Sequence, residues 1–253
     1  MTREDIVSDI ERRLEAALDA NELVAQATLL MGPGETGAKM LLFPGSEPLG
    51  SLGAAALDEL VQRDTAEMMA QAKGKLARSI SYELPEHSQS ARVFIEVFPP
   101  PPHLLIFGGV HVAVPLVTFA KTLGYRVTIA DPRTTFASRE RFPNADEIIA
   151  EWPQEAIKQI PITPSTYVVI LTHDPKLDEP ALKEVLGKGA AYVGAIGSRK
   201  THRERFDRMA RHGVSAAALT EVYAPIGLDL NAETPEEIAL AIMAEIVAVR
   251  RGG

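Results

Sequence analysis

The stretch from Leu104 to Asp131 constrains the fold more than any other part of this chain. Leu104-Leu105-Ile106-Phe107 is an unbroken apolar run, as expected of a strand buried on both faces. It ends in Gly108-Gly109, a helix-period segment follows near 111–122, and a second apolar run, Tyr125 to Ala130, closes on Asp131. Strand, glycine turn, helix, strand and acid form the opening half of a dinucleotide-binding unit, in which a helix N-terminus and bare amides receive phosphate. In the Gly-x-Gly-x-x-Gly/Ala pattern the middle glycine lets backbone approach a pyrophosphate. Here the register reads Gly108-Gly109-Val110-His111-Val112-Ala113, with Val110 in that place. The pattern therefore points to the fold more firmly than to a bound dinucleotide.

The same rhythm continues downstream. Strands are expected at 104–108, 125–130, 146–149, 166–172, 190–196 and 219–223, and helices near 111–122, 153–159, 179–186, 200–211 and 235–250. Such alternation implies right-handed crossovers and an α/β, doubly wound (Rossmann-like) parallel sheet over residues 103–253. Ligands of such sheets sit beyond the carboxyl ends of the strands, which directs attention to the loops 108–111, 131–136, 173–178 and 197–201. Upstream, Pro99-Pro100-Pro101-Pro102 reads as a stiff connector, because four prolines favour extended geometry and donate no backbone hydrogen bonds. Before it, Ile6, Ile10, Leu14 and Leu18 form a helical seam, strands are expected at 22–31, 38–43, 80–84 and 93–97, and a helix at 53–72. Residues 1–98 thus read as a smaller α+β domain.

Composition narrows the function classes. A net charge of -8 argues against a nucleic-acid partner, which calls for clustered lysine and arginine. The chain has no cysteine, which excludes disulfides, thiolate-bound metal and persulfide chemistry carried by this chain. Asp5, Asp9 and Glu11 interrupt the N-terminal apolar pattern, so it does not read as a signal peptide, and no apolar run is long enough to span a bilayer. A cytoplasmic protein with no membrane partner is expected.

The candidate binding residues lie on the four loops. Gly108, Gly109 and His111 stand where amides and a histidine would meet phosphate; a ligand-free turn and a solvated histidine are the competing readings. Asp131, twenty-three positions after Gly108, stands about where an acid accepts from a ribose diol, or else is a turn residue before Pro132. Arg133 reads as a phosphate contact or a surface charge. His173 and Asp174 form a pair at the sheet edge that suits proton transfer or ion binding, and no catalytic residue is assigned beyond them. Asp178, before Glu179-Pro180, reads as a helix N-cap with Pro180 in the first turn. Gly197, Ser198 and Arg199, followed by Lys200, combine flexible backbone, a hydroxyl and cations at a helix start, which suits an anion or a plain cap equally. Thr234-Pro235-Glu236-Glu237 reads as a capping box, while Pro225-Ile226-Gly227-Leu228-Asp229 is harder to explain by packing and is a candidate to close over a site.

Taken together, Phe107–Ala113, Asp131-Pro132-Arg133, Phe142–Asp146, Thr172-His173-Asp174, Gly194–Lys200, Pro225–Asp229 and Thr234–Ala239 resemble the XdhC/CoxI family, the xanthine dehydrogenase accessory proteins, over about Phe94 to Arg250. The resemblance implies a chaperone that is a maturation factor rather than an enzyme. It would bind the molybdenum cofactor, as molybdopterin or its dinucleotide, and support its sulfuration by a cysteine desulfurase. Insertion into a molybdenum hydroxylase would follow, and a homodimer is the expected assembly. Where family members carry a glycine-rich run ending in cysteine, this chain reads Gly50-Ser51-Leu52-Gly53-Ala54-Ala55-Ala56-Leu57-Asp58, so thiolate contact with molybdenum is impossible. Two alternatives stand beside this reading: an NAD(P)-dependent oxidoreductase, and an interaction scaffold that holds no ligand.

Overall fold

The computed structural model of the chain describes residues 3–71, 76–84 and 89–252. The chain divides into two compact units, Met1–Pro100 and Pro101–Gly253.

In the first unit the order is α1 (Arg3–Asp19), β1 (Val24–Met31), β2 (Lys39–Leu42), β3 (Leu49–Gly50), α2 (Ala55–Gln71), β4 (Leu76–Leu84) and β5 (Gln89–Phe98). The strands form an antiparallel sheet in the order β3-β2-β1-β5-β4. Side chains alternate across it. Ala25, Ala27 and Leu29 of β1 join Val93, Ile95 and Val97 of β5 in a core with Leu57, Val61, Met68 and Met69 of α2. Val24 and Leu41 point the other way and pack on Ile10 and Ala17 of α1. The helix expected over 53–72 is α2; Ala72 lies outside the described residues. β4 and β5 are longer than the expected 80–84 and 93–97, because β4 lies at the sheet edge, where exposed Arg78 and Ser79 continue the pairing opposite Ile95 and Phe94 without an apolar signal.

The second unit runs β6 (His103–Phe107), α3 (Ala113–Thr122), β7 (Arg126–Ala130), β8 (Glu147–Ile149), α4 (Pro153–Gln159), β9 (Thr166–Ile170), α5 (Pro175–Val185), β10 (Tyr192–Ala195), α6 (Arg199–Arg211), α7 (Ala216–Thr220), β11 (Val222–Tyr223) and α8 (Pro235–Arg251). Every neighbouring pair is parallel, in the order β11-β10-β9-β6-β7-β8. The chain starts in the middle at β6, builds outward to β8, returns to β9 and builds the other way. That reversal is the doubly wound arrangement, and it opens a crevice between the carboxyl ends of β6 and β9. Leu104, Ile106, Val127, Ile129 and Val169 pack under α3 and α8 on one face. Leu105, Phe107, Val168 and Ile170 pack under α4, α5 and α6 on the other. Burial on both sides is why these strands are continuous apolar runs.

Three local expectations are corrected. The helix expected from 179 begins at Pro175, capped by Asp174, whose Oδ1 accepts from the Lys176 amide at 2.9 Å. Asp178 is therefore not the cap: both Asp174-Pro175 and Asp178-Glu179-Pro180 carry cap chemistry, and the first is used. Pro180 lies inside the helix rather than in its first turn and costs the Lys176 carbonyl its helical donor. The strand expected at 219–223 is only Val222–Tyr223, and the preceding residues form α7, capped by Ser215. α8 begins as read, with the Thr234–Glu237 capping box in place.

At the amino end of β6, His103 Nε2 lies 2.8 Å from Thr128 Oγ1, whose hydroxyl donates to Glu147 Oε2 at 3.3 Å. The imidazole is thus the donor to Thr128. Burial, and then the neighbouring Arg126 guanidinium, push His103 down to about 4 against the pull of Glu147 and Asp146. A histidine depressed in the folded state binds its proton more readily when unfolded, so stability falls as pH drops from about 6.5 towards 4. Urea denaturation of wild type and His103→Gln at pH 7, 6, 5 and 4 is expected to show a smaller loss in the variant over that window. Parallel losses would contradict the assignment.

Candidate functional site

The crevice is bounded on the β6–β7 side by the turn from Phe107 to Ala113. Gly108 has φ +107°, and a Cβ there would lie 2.6 Å from the Thr172 methyl. A Cβ on Gly109 would lie 2.2 Å from the Phe136 carbonyl oxygen. Both glycines are thus required by protein neighbours. The Gly108 amide donates to the Ala130 carbonyl at 2.9 Å and the Gly109 amide to Asp131 Oδ2 at 3.0 Å. The next three amides, of Val110, His111 and Val112, have no acceptor among the described residues as the chain turns into α3. Val110 packs against the core and His111 is exposed.

Asp131 is buried, with 1 % of its surface exposed. Besides Gly109 it accepts from the Arg133 amide at 3.0 Å, from Arg133 Nε at 2.9 Å and from Arg133 Nη2 at 2.7 Å. Burial alone would raise its pKa; the Arg133 side chain and the two amides outweigh burial and hold the carboxyl below the usual range. Arg133 is raised in turn, chiefly by its hydrogen bond to Asp131, and the charge of Asp174 across the crevice adds to this. Its guanidinium stacks 4.0 Å from the Phe136 ring centroid. Arg141 Nη2 donates to the Gly109 carbonyl at 3.0 Å. The loop after β7 is folded onto the glycine turn.

On the β9–β10 side, His173 is exposed and makes no hydrogen bond among the described residues, while Asp174 spends one oxygen on the α5 cap. Gly197 has φ +144°. Ser198 caps α6, accepting from the Thr201 amide at 3.1 Å. Arg199 is exposed with no ion pair among the described residues, and Lys200 reaches Glu204 only at 4.0 Å. The topology therefore gathers Gly108, Gly109, His111, Asp131, Arg133, His173, Asp174, Gly197, Ser198 and Arg199 at one sheet edge. Gly109, Asp131 and Arg133 are bonded to one another, whereas His111, His173 and Arg199 leave their polar groups towards solvent.

Sequence reasoning missed a buried polar chain beneath this edge. Thr172 Oγ1 donates to Asp178 Oδ1, and Arg205 Nη2 donates to Asp178 Oδ2 at 2.6 Å and to the Ile196 carbonyl at 3.3 Å. Arg205 Nη1 donates to His202 Nδ1 at 3.1 Å, so His202 carries its proton on Nε2 and donates to the Gly197 carbonyl, 3.1 Å away. Burial pushes Asp178 up to about 6, partly offset by the Thr172 hydroxyl and by Arg205. Burial, with Arg205 adding to it, lowers His202. A signal was present in the sequence: His202, Arg205 and Met209 fall on one helical stripe, the buried one.

Among the described residues no cluster of three or more His, Cys, Asp or Glu side chains is placed to hold a metal ion. A groove of about 620 Å³ between α5 and α6, lined by Lys176, Glu179, Lys183, Arg208 and His212 among others, shares no residue with the glycine turn or the Ser198 loop. Chemically, the edge offers amides without acceptors among the described residues and one exposed cation without an ion pair among them, Arg199, groups that suit an anion.

Comparison with known proteins agrees with this fold. Residues 104–246 match the XdhC Rossmann domain. The chain is 30% identical over 177 residues to a Bacillus subtilis (strain 168) protein described as a probable xanthine dehydrogenase component, covering 70% of this chain and 52% of that protein. It is 32% identical over 99 residues to the molybdenum cofactor insertion chaperone PaoD of Escherichia coli (strain K12), covering 39% and 30%. The chain spans about half or less of the length of these relatives. A crystal structure described as a xanthine dehydrogenase from Bacillus halodurans superposes with a TM-score of 0.55 at 22% identity over 96% of both chains, a likeness of fold. Among the described residues no helix is long and apolar enough to cross a membrane.

Asp131, held low in the folded state, contributes stability that is complete above the ordinary carboxylate range and lost as pH falls through its folded value. Asp131→Asn is therefore expected to lower the melting temperature at pH 7 and to flatten the acid limb below about pH 4, where wild type loses the same contribution. Gly109→Ala is expected to destabilise by about 1–3 kcal/mol, since its methyl meets backbone that cannot rotate aside. Equal denaturation midpoints for wild type and Gly109→Ala would contradict the tight approach of Phe136.

Proposed function

The chain belongs to the XdhC family, and from that premise we propose that it is an accessory protein that carries the molybdenum cofactor. In this reading it supports sulfuration of the cofactor and its insertion into a xanthine dehydrogenase or CO dehydrogenase type molybdenum hydroxylase. The observation that carries the reading is the run of three amides, Val110, His111 and Val112, without acceptors among the described residues at the start of α3. Molybdopterin ends in a phosphate and its dinucleotide contains a pyrophosphate. Either suits amides at a positive helix end, with Arg199 and Lys200 as cations on the same sheet edge.

The chemistry of the chain divides the labour. Without cysteine it has no thiolate for molybdenum and no persulfide to donate, so the sulfur comes from a partner cysteine desulfurase. This chain grips the cargo by its phosphate and leaves the metal end accessible to that partner and to the hydroxylase. His111 and His173, both exposed, are further donors at the rim. An NAD(P)-dependent oxidoreductase fits less well, because the acid that would receive a ribose, Asp131, has both oxygens engaged by Gly109 and Arg133.

One observation favours the scaffold alternative for the N-terminal unit. Asp58 accepts from the Leu52 amide at 2.8 Å and from Ser51 Oγ at 2.6 Å, so the Gly50–Asp58 turn is closed by its own carboxylate. The carrier role is therefore assigned to the second unit.

The test is purification from cells that make the cofactor, with molybdenum and oxidised pterin quantified on the same sample. Wild type is expected to retain pterin, and Arg199→Glu/Lys200→Glu, which alters only exposed side chains, to lose at least tenfold. Equal pterin in both, or none in wild type, would refute the carrier reading.

A further inference from the structure

Three ionisable side chains lie beneath the sheet edge where charge is expensive: Asp178, Arg205 and His202 are 1 %, 2 % and 3 % exposed. A buried ion pair seldom stabilises more than apolar packing of the same volume. The carrier reading above makes no use of them. Their hydrogen bonds nevertheless run in one line from Thr172, which packs on the Gly108 turn, to Ile196 and Gly197 before Ser198.

The line starts at Gly108. A Cβ there would strike the Thr172 methyl at 2.6 Å and the Thr172 amide nitrogen at 3.1 Å, so Thr172 is seated on the glycine turn. The Thr172 hydroxyl donates to Asp178, and Asp178 receives Arg205. Arg205 then makes two connections to the other loop: directly to the Ile196 carbonyl, and through His202 to the Gly197 carbonyl. Ile196 and Gly197 immediately precede the Ser198 cap. A planar guanidinium with donors in fixed directions suits three acceptors at once; an ammonium on a flexible stem does not.

We propose that Arg205 is a positioning residue: through Asp178 and Thr172 on one side and His202 on the other, it holds the Gly108 turn and the Ser198 loop in one fixed relation, so that an anionic ligand meets both together. The proposal rests on the reading of this edge as an anion receptor. It adds that the two loops respond as one unit, and that the buried ion pair is retained for geometry rather than stability. The Pro175 start of α5 belongs to the same device, since it places Asp178 one turn inside the helix, facing Arg205.

The experiment uses the full chain labelled with 15N and inorganic pyrophosphate as the probe. Arg205→Lys keeps the charge facing Asp178 but cannot reach all three acceptors. Its amide resonances are expected to shift both at Gly108–Val112 and at Gly197–Thr201, with pyrophosphate affinity reduced about tenfold and the melting temperature within a few degrees of wild type. Shifts confined to Gly197–Thr201, or unchanged affinity in a variant that binds, would overturn the proposal. Thr172→Val, nearly isosteric, cuts the line at its other end and serves if Arg205→Lys does not fold. It is expected to move the Gly197–Thr201 amides, and shifts confined to Gly108–Val112 would overturn the coupling. Coupled shifts in a chain that binds no pyrophosphate would support the strut and sink the anion-receptor reading alone.

Discussion

The second unit depends on how one carboxylate is satisfied. Asp131 ends β7 in the interior, where an unpaired charge is untenable. It is met by four donors: the Gly109 amide, the Arg133 amide and two nitrogens of the Arg133 guanidinium. These bonds tie the ends of β6 and β7 together and draw the following loop back so that Phe136 covers Gly109. Everything at the sheet edge inherits this arrangement. The Gly109 amide is withdrawn from any ligand, and the open amides move one step along, to Val110, His111 and Val112. The side chain of Val110 at the third position then has a physical role: it packs on the core while its amide stays available.

The opposite bank of the crevice is built by a different device. Where Asp131 uses a half-exposed arginine from its own loop, Asp178 uses Arg205 from another helix, fully buried. The contrast shows in the direction of the two carboxyls. Donors outweigh burial at Asp131 and hold it low, whereas burial wins at Asp178 and raises it to about 6. Both arrangements join two segments: Asp131 links the loops after β6 and β7, and Asp178 with Arg205 links Thr172 to the segment before Ser198.

Legibility in the sequence followed physical range. The parallel sheet could be read because its strands are buried on both faces and therefore appear as unbroken apolar runs, and α8 because a capping box is local chemistry. Asp174 and Asp178 each stand ahead of a proline at helix-start spacing, so local chemistry does not separate them; only the Thr172 and Arg205 side chains, six and twenty-seven positions from Asp178, decide between them. The candidate edge was legible as loops, since topology places the carboxyl ends together. What was not legible was which polar groups are already spent. Asp131 and Gly109 satisfy each other, His202 and Arg205 are interior, and such pairings over long sequence separation leave no periodic trace.

The division between spent and unspent groups bears on what kind of cargo this edge suits. Side chains that would bind a metal or a ribose, chiefly Asp131 and Asp178, are already engaged by donors of the protein itself. Groups that remain are amides, whose partial charge is fixed by the helix, and exposed cations that need no burial to act. Such a surface discriminates poorly between organic moieties and well between charges, so it favours a ligand by its phosphate whatever lies beyond. For a carrier that must surrender its cargo this is an advantage. In the proposed carrier role, a grip through amides and exposed cations would commit no contact to the part of the molecule that the next protein must take.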